Sequence, residues 1–147
     1  MFWWGTVKRM VLIPVLFGLS IFGAAHASAD PVSAEGGAIV QPALADLSAQ
    51  LGKPVELKVK TVNVVGDWAF VYGKIQGPDG AVFDYAGTRF AEAAANGGKS
   101  TTYAGLFRNN GSAWTRVDSA VGPTDVAWEG WAAEYGVPAE TFALPAD

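Results

Sequence analysis

Four acidic side chains are the candidates for catalysis in this sequence: Asp84, Asp118, Asp125 and Glu129. They fall near the ends of predicted strands or at the start of the last predicted helix. Two carboxyl groups held roughly 5 to 10 Å apart can hydrolyse a glycosidic bond, one as acid and the other as base or nucleophile. A hydrolase acting on cell-wall or glycoside substrates is therefore one hypothesis. Acids at these positions also cap helices and keep a surface solvated, so the pattern favours a protein that is not an enzyme, and no catalytic residue is assigned.

Beyond residue 29 the sequence has no histidine and no cysteine, because its one histidine is His26. A Ser-His-Asp triad, a Cys-His pair and the usual zinc sites all need these residue types. No glycine-rich phosphate loop or EF-hand pattern is present in the sequence. Asp79, Asn109 and Asn110 offer oxygen ligands for calcium, but turn formation explains them. The sequence therefore predicts no metal site and no cofactor.

Aromatic side chains are the stronger candidates for a functional site. Trp128, Trp131 and Tyr135 repeat at helical spacing and form one stripe. One interpretation places this stripe in the core. The other keeps one or two rings on a concave sheet face, as a platform for an apolar ligand, a sugar or a partner. The candidate binding residues are Trp68, Tyr72, Phe90, Trp114, Trp128 and Trp131.

A helix is the first element predicted after residue 29. It begins at Pro42, since proline fits the first helical turn, and Gly52 ends it. Leucines at helical spacing in residues 44–51 would press one stripe onto a sheet. Residues 30–41 are small, glycine-containing and aperiodic, which predicts a flexible lead.

Strands follow this helix. Residues 55–65 at first alternate apolar and charged side chains, and the phase then changes, which predicts a bulge near Thr61. Residues 68–76 are apolar on both faces, as is typical of a central strand. Residues 77–80, GPDG, predict a tight turn, because proline sets the turn dihedral and glycine accepts a positive φ. Residues 81–86 are predicted to return as a strand.

The second half of the chain begins with a weakly patterned, glycine-flanked segment, residues 87–99. Its alanines predict two helical turns. Residues 101–108 and 113–121 flank an Asn-Asn-Gly turn and predict a hairpin.

The last predicted helix starts where Thr124 or Asp125 can cap it, and it ends at Gly136. The order of elements predicts an α+β domain, an antiparallel sheet of four or five strands with an N-terminal and a C-terminal helix packed on it. A helix leading into such a sheet is found in cystatin-like and nuclear-transport-factor-like architectures. Residues 42–147 are expected to form this single domain.

The first 29 residues predict an export signal. Lys8 and Arg9 supply the positive start, residues 10–25 form an apolar run, and residues 27–29 read Ala-Ser-Ala, a typical cleavage site. The run is short for a membrane span, which needs roughly 20 residues, so cleavage near Ala29 is favoured over an uncleaved signal that anchors the chain. The protein is expected in the periplasm or the medium.

Charge also limits the choice of partners. The chain beyond residue 29 has eight cations and 14 acids, a net charge of −6, and no basic cluster. A net acidic domain repels phosphate backbones, which argues against nucleic acid as a partner. The preferred hypothesis is a non-enzymatic module that binds an envelope protein or a small apolar ligand through its sheet face and residues 87–99. A purely structural envelope protein fits the sequence as well, and the oligomeric state is left open.

Several motifs resemble a family of small secreted proteins of Gram-negative bacteria that has no known function. The motifs are GDWAFV at residues 66–71, GPDG at 77–80, Trp114, and GPTDVAW at 122–128. The resemblance extends over roughly residues 42–142. It implies secretion and a compact domain, and it assigns no catalytic or ligand-binding residue.

Overall fold

The computed structural model describes residues 34–146, with side chains from residue 36 onward. The predicted signal, residues 1–29, lies outside the described residues, as do residues 30–33 of the predicted lead. Within residues 34–146, no helix is long and apolar enough to cross a membrane. The elements in chain order are helix α1 (Ala34–Leu51), strand β1 (Glu56–Val65), strand β2 (Trp68–Gln76), a 3-10 turn (Pro78–Gly80), helix α2 (Ala91–Ala95), strand β3 (Thr102–Asn109), strand β4 (Trp114–Val121), helix α3 (Trp131–Tyr135) and a second 3-10 turn (Ala139–Phe142).

The four strands form one antiparallel sheet in the order β1-β2-β3-β4. This confirms the α+β class that the sequence predicted. The register between β1 and β2 shifts between Val59 and Thr61, where the change of apolar phase had predicted a bulge. A second shift lies between Leu106 and Phe107 of β3, where the pairing with β4 passes over Val117.

Both faces of the sheet are covered. On one face α1 packs with Ile39 and Leu47 against Val71 and Ile75 of the central strand. On the opposite face the segment that follows β4 packs against Phe70, with Trp128 and Trp131 in the same cluster. Strand β2 is apolar on both faces because both faces are buried, as its sequence had predicted for a central strand.

Helix α1 begins at Ala34. The predicted helix start at Pro42 is therefore wrong, and residues 34–41 are helical where a flexible lead was predicted. Pro42 lies inside the helix, where it lacks the N–H for one backbone hydrogen bond. The helix continues because its earlier turns bury Ile39, which is 0% exposed, in line with Ala43 and Leu47. Burial of a large aliphatic side chain is worth about 1.5 to 3 kcal/mol, enough to offset most of the cost of the proline.

Residues 81–86 do not form the predicted return strand, and their only sheet pairing is the bridge between Gln76 and Val82. The reason is that β3 already pairs with β2 on this side. The Ile75 amide donates to the Thr101 carbonyl, which carries the β2–β3 pairing to the second-last residue of β2. Only Gln76 remains for residues 81–86, and Val82 pairs with it.

The predicted last helix is shorter than expected. Helix α3 contains five residues, and its N-cap is Gly130, with no cap from Thr124 or Asp125. Trp128 lies in the preceding turns, where amides bond to carbonyls three residues back, as from Trp131 to Trp128. The predicted end at Gly136 is confirmed, since this glycine has a φ of 66°. The predicted alanine-rich turns are also present, as α2.

Candidate functional site

One end of the sheet, where β2 and β4 finish and β1 and β3 begin, carries three neighbouring grooves. We name them by one lining residue each: the Phe83 groove, the Arg89 groove and the Tyr72 groove. Lys99 lines both the Phe83 groove and the Arg89 groove. Residues 123–125 line both the Arg89 groove and the Tyr72 groove. The three grooves are therefore parts of one continuous surface.

The Phe83 groove has a volume of about 590 Å³ and lies between residues 82–86 and helix α2. Val82 is 91% exposed at its edge, whereas Phe83 and Tyr85 are buried beneath it. The alanines of α2 form the facing wall, so the lining is mainly apolar. The exposed Val82 extends the apolar lining of the groove to its edge, which enlarges the apolar patch.

Three rings in edge-to-face contact support this groove. Phe83 and Tyr85 meet edge to face with ring centres 4.9 Å apart, and Tyr85 meets Phe90 at 6.3 Å. The Tyr85 hydroxyl donates a 2.5 Å hydrogen bond to the Ser100 carbonyl. Burial raises the pKa of Tyr85 to about 12, so the hydroxyl keeps its proton and its bond in any physiological medium.

Local hydrogen bonds hold the chain that carries these rings. The Thr88 hydroxyl donates to the Tyr85 carbonyl at 2.7 Å and accepts from the Phe90 amide at 3.2 Å. Lys53, two residues after the end of α1, donates to the carbonyls of Asp84 and Ala86. The irregular segment is thereby fixed to the residues that follow α1 and, through the Tyr85 hydroxyl, to the residues that precede β3, although it forms no strand.

The Arg89 groove, of about 380 Å³, contains two cations beside one ring. The Arg89 guanidinium carbon lies 4.6 Å from the centre of the Phe90 ring, and Lys99 Nζ lies 4.4 Å from it. Arg89 donates to Gln50 Oε1 at 3.1 Å, and Lys99 donates to the Val121 carbonyl at 2.9 Å. Both cations are thus held by neutral acceptors and by the face of an aromatic ring.

A polar network joins α1 to the sheet below the Arg89 groove. Gln50 Nε2 donates to Ser119 Oγ at 2.8 Å and to Asp46 at 3.0 Å. Asp46, whose side chain is 9% exposed, also accepts from Arg116 Nε at 3.0 Å. The Tyr103 hydroxyl donates to the same carboxylate at 2.9 Å. Burial is the larger cause, and the negative charge of Asp46 the second, that raises the pKa of Tyr103 well above its usual range.

The Tyr72 groove, of about 390 Å³, lies on the opposite face of the sheet from α1. Tyr72 and Trp128 meet there with ring centres 5.5 Å apart. Val126 is 53% exposed and Leu144 40% exposed along its walls. This groove therefore adds two further exposed apolar side chains to the same end of the molecule.

The structure does not bring the six predicted binding residues into one site. Trp68, Tyr72, Trp128 and Trp131 belong to the cluster on the face opposite α1. Trp114 packs against the α1 cluster, on the other face. The two tryptophans of the predicted stripe are core, since Trp128 is 7% and Trp131 6% exposed.

Three of the predicted residues do line the groove surface. They are Tyr72 and Trp128 in the Tyr72 groove and Phe90 in the Arg89 groove. The sequence reading missed Gln50, Val82, Arg89 and Lys99. The available signal was the position of Arg89 next to Phe90, in a chain with few cations.

The candidate acids act as structural groups where the structure shows a partner. Asp84 Oδ1 accepts from the Ala86 amide at 2.9 Å. Asp118 Oδ2 accepts from the Tyr135 hydroxyl at 2.6 Å, and its Oδ1 accepts from the Ser119 amide. Across the described residues, no group of three or more His, Cys, Asp or Glu side chains could hold a metal ion.

Comparison with known proteins returns no match to the chain, whether it is made with protein-family models, with curated proteins or with solved structures.

Proposed function

We propose that this protein is an exported, non-enzymatic binding module of the periplasm, which holds its ligand or partner at the end of the sheet where the three grooves meet. The observation that carries the proposal is the continuity of these grooves through Lys99 and residues 123–125. Each has a volume within the range of about 300 to 1,000 Å³ that is typical of ligand sites.

The distribution of exposed apolar side chains supports the same surface. The large hydrophobic residues exposed among the described residues are Val82, Val126 and Leu144, and all three line these grooves. Apolar side chains that lie together at grooves are typical of interaction sites, whereas scattered ones carry no such meaning. The module would release water from this surface on binding, which supplies the driving force.

A rigid support favours binding over a purely structural role. The edge-to-face contacts of Phe83, Tyr85 and Phe90 and the Lys53 hydrogen bonds hold residues 83–90 in one arrangement without a strand. A preformed groove loses little conformational entropy when it is occupied, which raises affinity. Export is proposed from the first 29 residues of the sequence.

The test is a pull-down with the tagged full chain, expressed in its native organism and recovered from the envelope, followed by identification of bound proteins and small molecules. Val82→Asp places a charge on the apolar edge of the Phe83 groove. Ala45→Asp, on the exposed side of α1, is the matched control because it adds the same charge away from the grooves. We expect one ligand or partner with the wild-type and Ala45→Asp chains and a strong loss with Val82→Asp.

The proposal is overturned if the folded wild-type chain retains nothing, or if the bound material is unaffected by both Val82→Asp and Val126→Asp. Circular dichroism and thermal unfolding establish that every variant is folded. Because Val82 and Val126 are 91% and 53% exposed, neither substitution removes core packing.

A further inference from the structure

Phe90 organises an unusual pair of cations. Arg89 and Lys99 both contact its ring, at 4.6 Å and 4.4 Å from the ring centre. Two positive groups in one groove raise the local positive potential, which an anion bound beside them would offset. Their contacts with the ring and with neutral carbonyl oxygens keep them in place without neutralising them.

Neither cation has a carboxylate partner within residues 36–146. The one ion pair there joins Arg116 to Asp46. The Arg89 groove is lined by two cations, Arg89 and Lys99, and by one acid, Asp125. Seven of the eight cations beyond residue 29 have no ion pair in the described residues, but Arg89 and Lys99 are the two that contact one ring and line one groove.

Both cations retain hydrogen-bond donors for a ligand. The Arg89 guanidinium has five N–H groups, of which one donates to Gln50. The Lys99 ammonium has three, of which one donates to the Val121 carbonyl. A guanidinium binds a carboxylate through two parallel hydrogen bonds, and an ammonium adds a point charge, so both side chains favour an anionic group in this groove.

The apolar Phe83 groove is continuous with this cationic position, because Lys99 lines both grooves. A ligand whose anionic group contacts Lys99 can therefore lay an apolar portion against Val82 and the alanines Ala91, Ala94 and Ala95 of α2. The groove volume of about 590 Å³ accommodates an alkyl chain of moderate length. An ion without an apolar portion would leave this part of the surface uncovered.

We propose that the groove surface binds a small amphiphilic carboxylate, with its carboxylate in the Arg89 groove, where Arg89 and Lys99 supply the positive charge, and its alkyl portion in the Phe83 groove. This inference rests on the proposed binding function and names its ligand class. Charge complementarity selects the anion, and the continuity of the two grooves selects an apolar tail.

The test uses decanoate as the probe and decanol as its neutral counterpart, each below its aggregation threshold, titrated into the full chain. Amide chemical shifts locate the binding, and calorimetry measures its affinity. We expect saturable decanoate binding with chemical-shift changes at residues 82–99, and we expect added salt to lower its affinity. Decanol should bind much more weakly, and its affinity should not depend on salt.

Substitutions separate the two parts of the site. Arg89→Gln and Lys99→Gln are each expected to weaken decanoate binding by about tenfold or more, since each removes one charged hydrogen-bond partner. Val82→Asp should weaken it by a similar factor through repulsion. Arg108→Gln is the matched control, because Arg108 also lies over an aromatic ring, 5.1 Å from the centre of Trp68, but lines none of these grooves.

Several results would overturn the inference. The first two are an absence of saturable shifts at residues 82–99 and an equal affinity for decanol and decanoate. The third is a loss of decanoate affinity with Arg108→Gln that equals the loss with Arg89→Gln or Lys99→Gln. The fourth is that the surface retains an acidic protein segment in place of decanoate. If decanoate fails while the pull-down still depends on Val82, the ligand class is wrong and the binding function stands. If both fail, the proposed function fails as well.

Discussion

The hydroxyl group of Tyr103 donates a 2.9 Å hydrogen bond to the carboxylate of Asp46, which ties the middle of the sheet to helix α1. The Tyr103 side chain is fully buried, so the bond is shielded from water. Arg116 and Gln50 donate to the same carboxylate. A buried carboxylate with several donors holds a helix at one position along a sheet, because any slide would break them together.

The first prediction concerns this bond. Tyr103→Phe should lower the free energy of unfolding by about 1.5 to 3 kcal/mol, the usual worth of a hydrogen bond to a charged group. Urea denaturation measures the change. Tyr72→Phe is the control, because the Tyr72 hydroxyl has no hydrogen-bond partner in the described part of the chain, and its effect should stay within about 0.5 kcal/mol. Equal effects of the two substitutions would contradict the role given to Asp46.

Gly105 makes room for the Tyr103 side chain to reach Asp46. A Cβ atom on Gly105 would lie 2.6 Å from the Tyr103 hydroxyl oxygen and 2.7 Å from the Phe107 ring. We expect Gly105→Ala to destabilise the fold by about 1 to 3 kcal/mol through overpacking. Gly130→Ala, where nothing lies within 4 Å, should be close to neutral in the same urea experiment. A neutral Gly105→Ala would show that the Tyr103 ring does not cross this position.

The position of Pro42 inside α1 gives a prediction of opposite sign. Pro42→Ala restores a backbone hydrogen bond in the helix interior and should stabilise the domain by about 1 to 3 kcal/mol. If the helix instead began at Pro42, proline would be favourable there and the substitution would bring no gain. Thermal unfolding decides between the two starts. Pro54→Ala, outside the helix, is the control and should not stabilise the protein.

Stability should fall at alkaline pH because three tyrosines have raised pKa values. Burial raises the pKa of Tyr85 to about 12, and the hydrogen bond to Asp118 raises the pKa of Tyr135 to about 12. Tyr103 is shifted in the same direction. The unfolded chain has pKa values near 10 and loses these protons first, so the stabilising contribution is complete below about pH 10 and is lost as the pH rises through 12.

Urea denaturation at several pH values tests this dependence. The free energy of unfolding should decline between pH 10 and 12, and Tyr135→Phe should make the decline shallower because one titrating group is removed. Ultraviolet absorbance of tyrosinate follows the ionisation itself. A free energy of unfolding that stays constant between pH 10 and 12 would contradict the raised pKa values of the three tyrosines.

The sequence identified the strands well and the candidate site poorly. Strand β2 was predicted with the observed bounds, and the bulge before Thr61 was visible as a change of apolar phase. Arg89 and Lys99 lie ten residues apart and belong to no pattern, so only the fold shows that both contact Phe90. From the sequence, Trp114 was placed in one candidate site with Trp68. In the structure the register shift after Leu106 reverses the alternation of side chains along β4, so Trp114 lies on the sheet face that α1 covers.

The sequence by itself determined the α+β class, the four sheet strands, the two hairpin turns that join β1 to β2 and β3 to β4, and the absence of histidine and cysteine chemistry beyond residue 29. These properties follow from side-chain alternation and glycine conformations, which act between neighbouring residues. Only the tertiary structure decided that α1 extends back to Ala34, that residues 81–86 stay outside the sheet, and that three grooves meet at Lys99. Each of these depends on which distant residues supply burial and hydrogen bonds, and local sequence patterns do not contain that information.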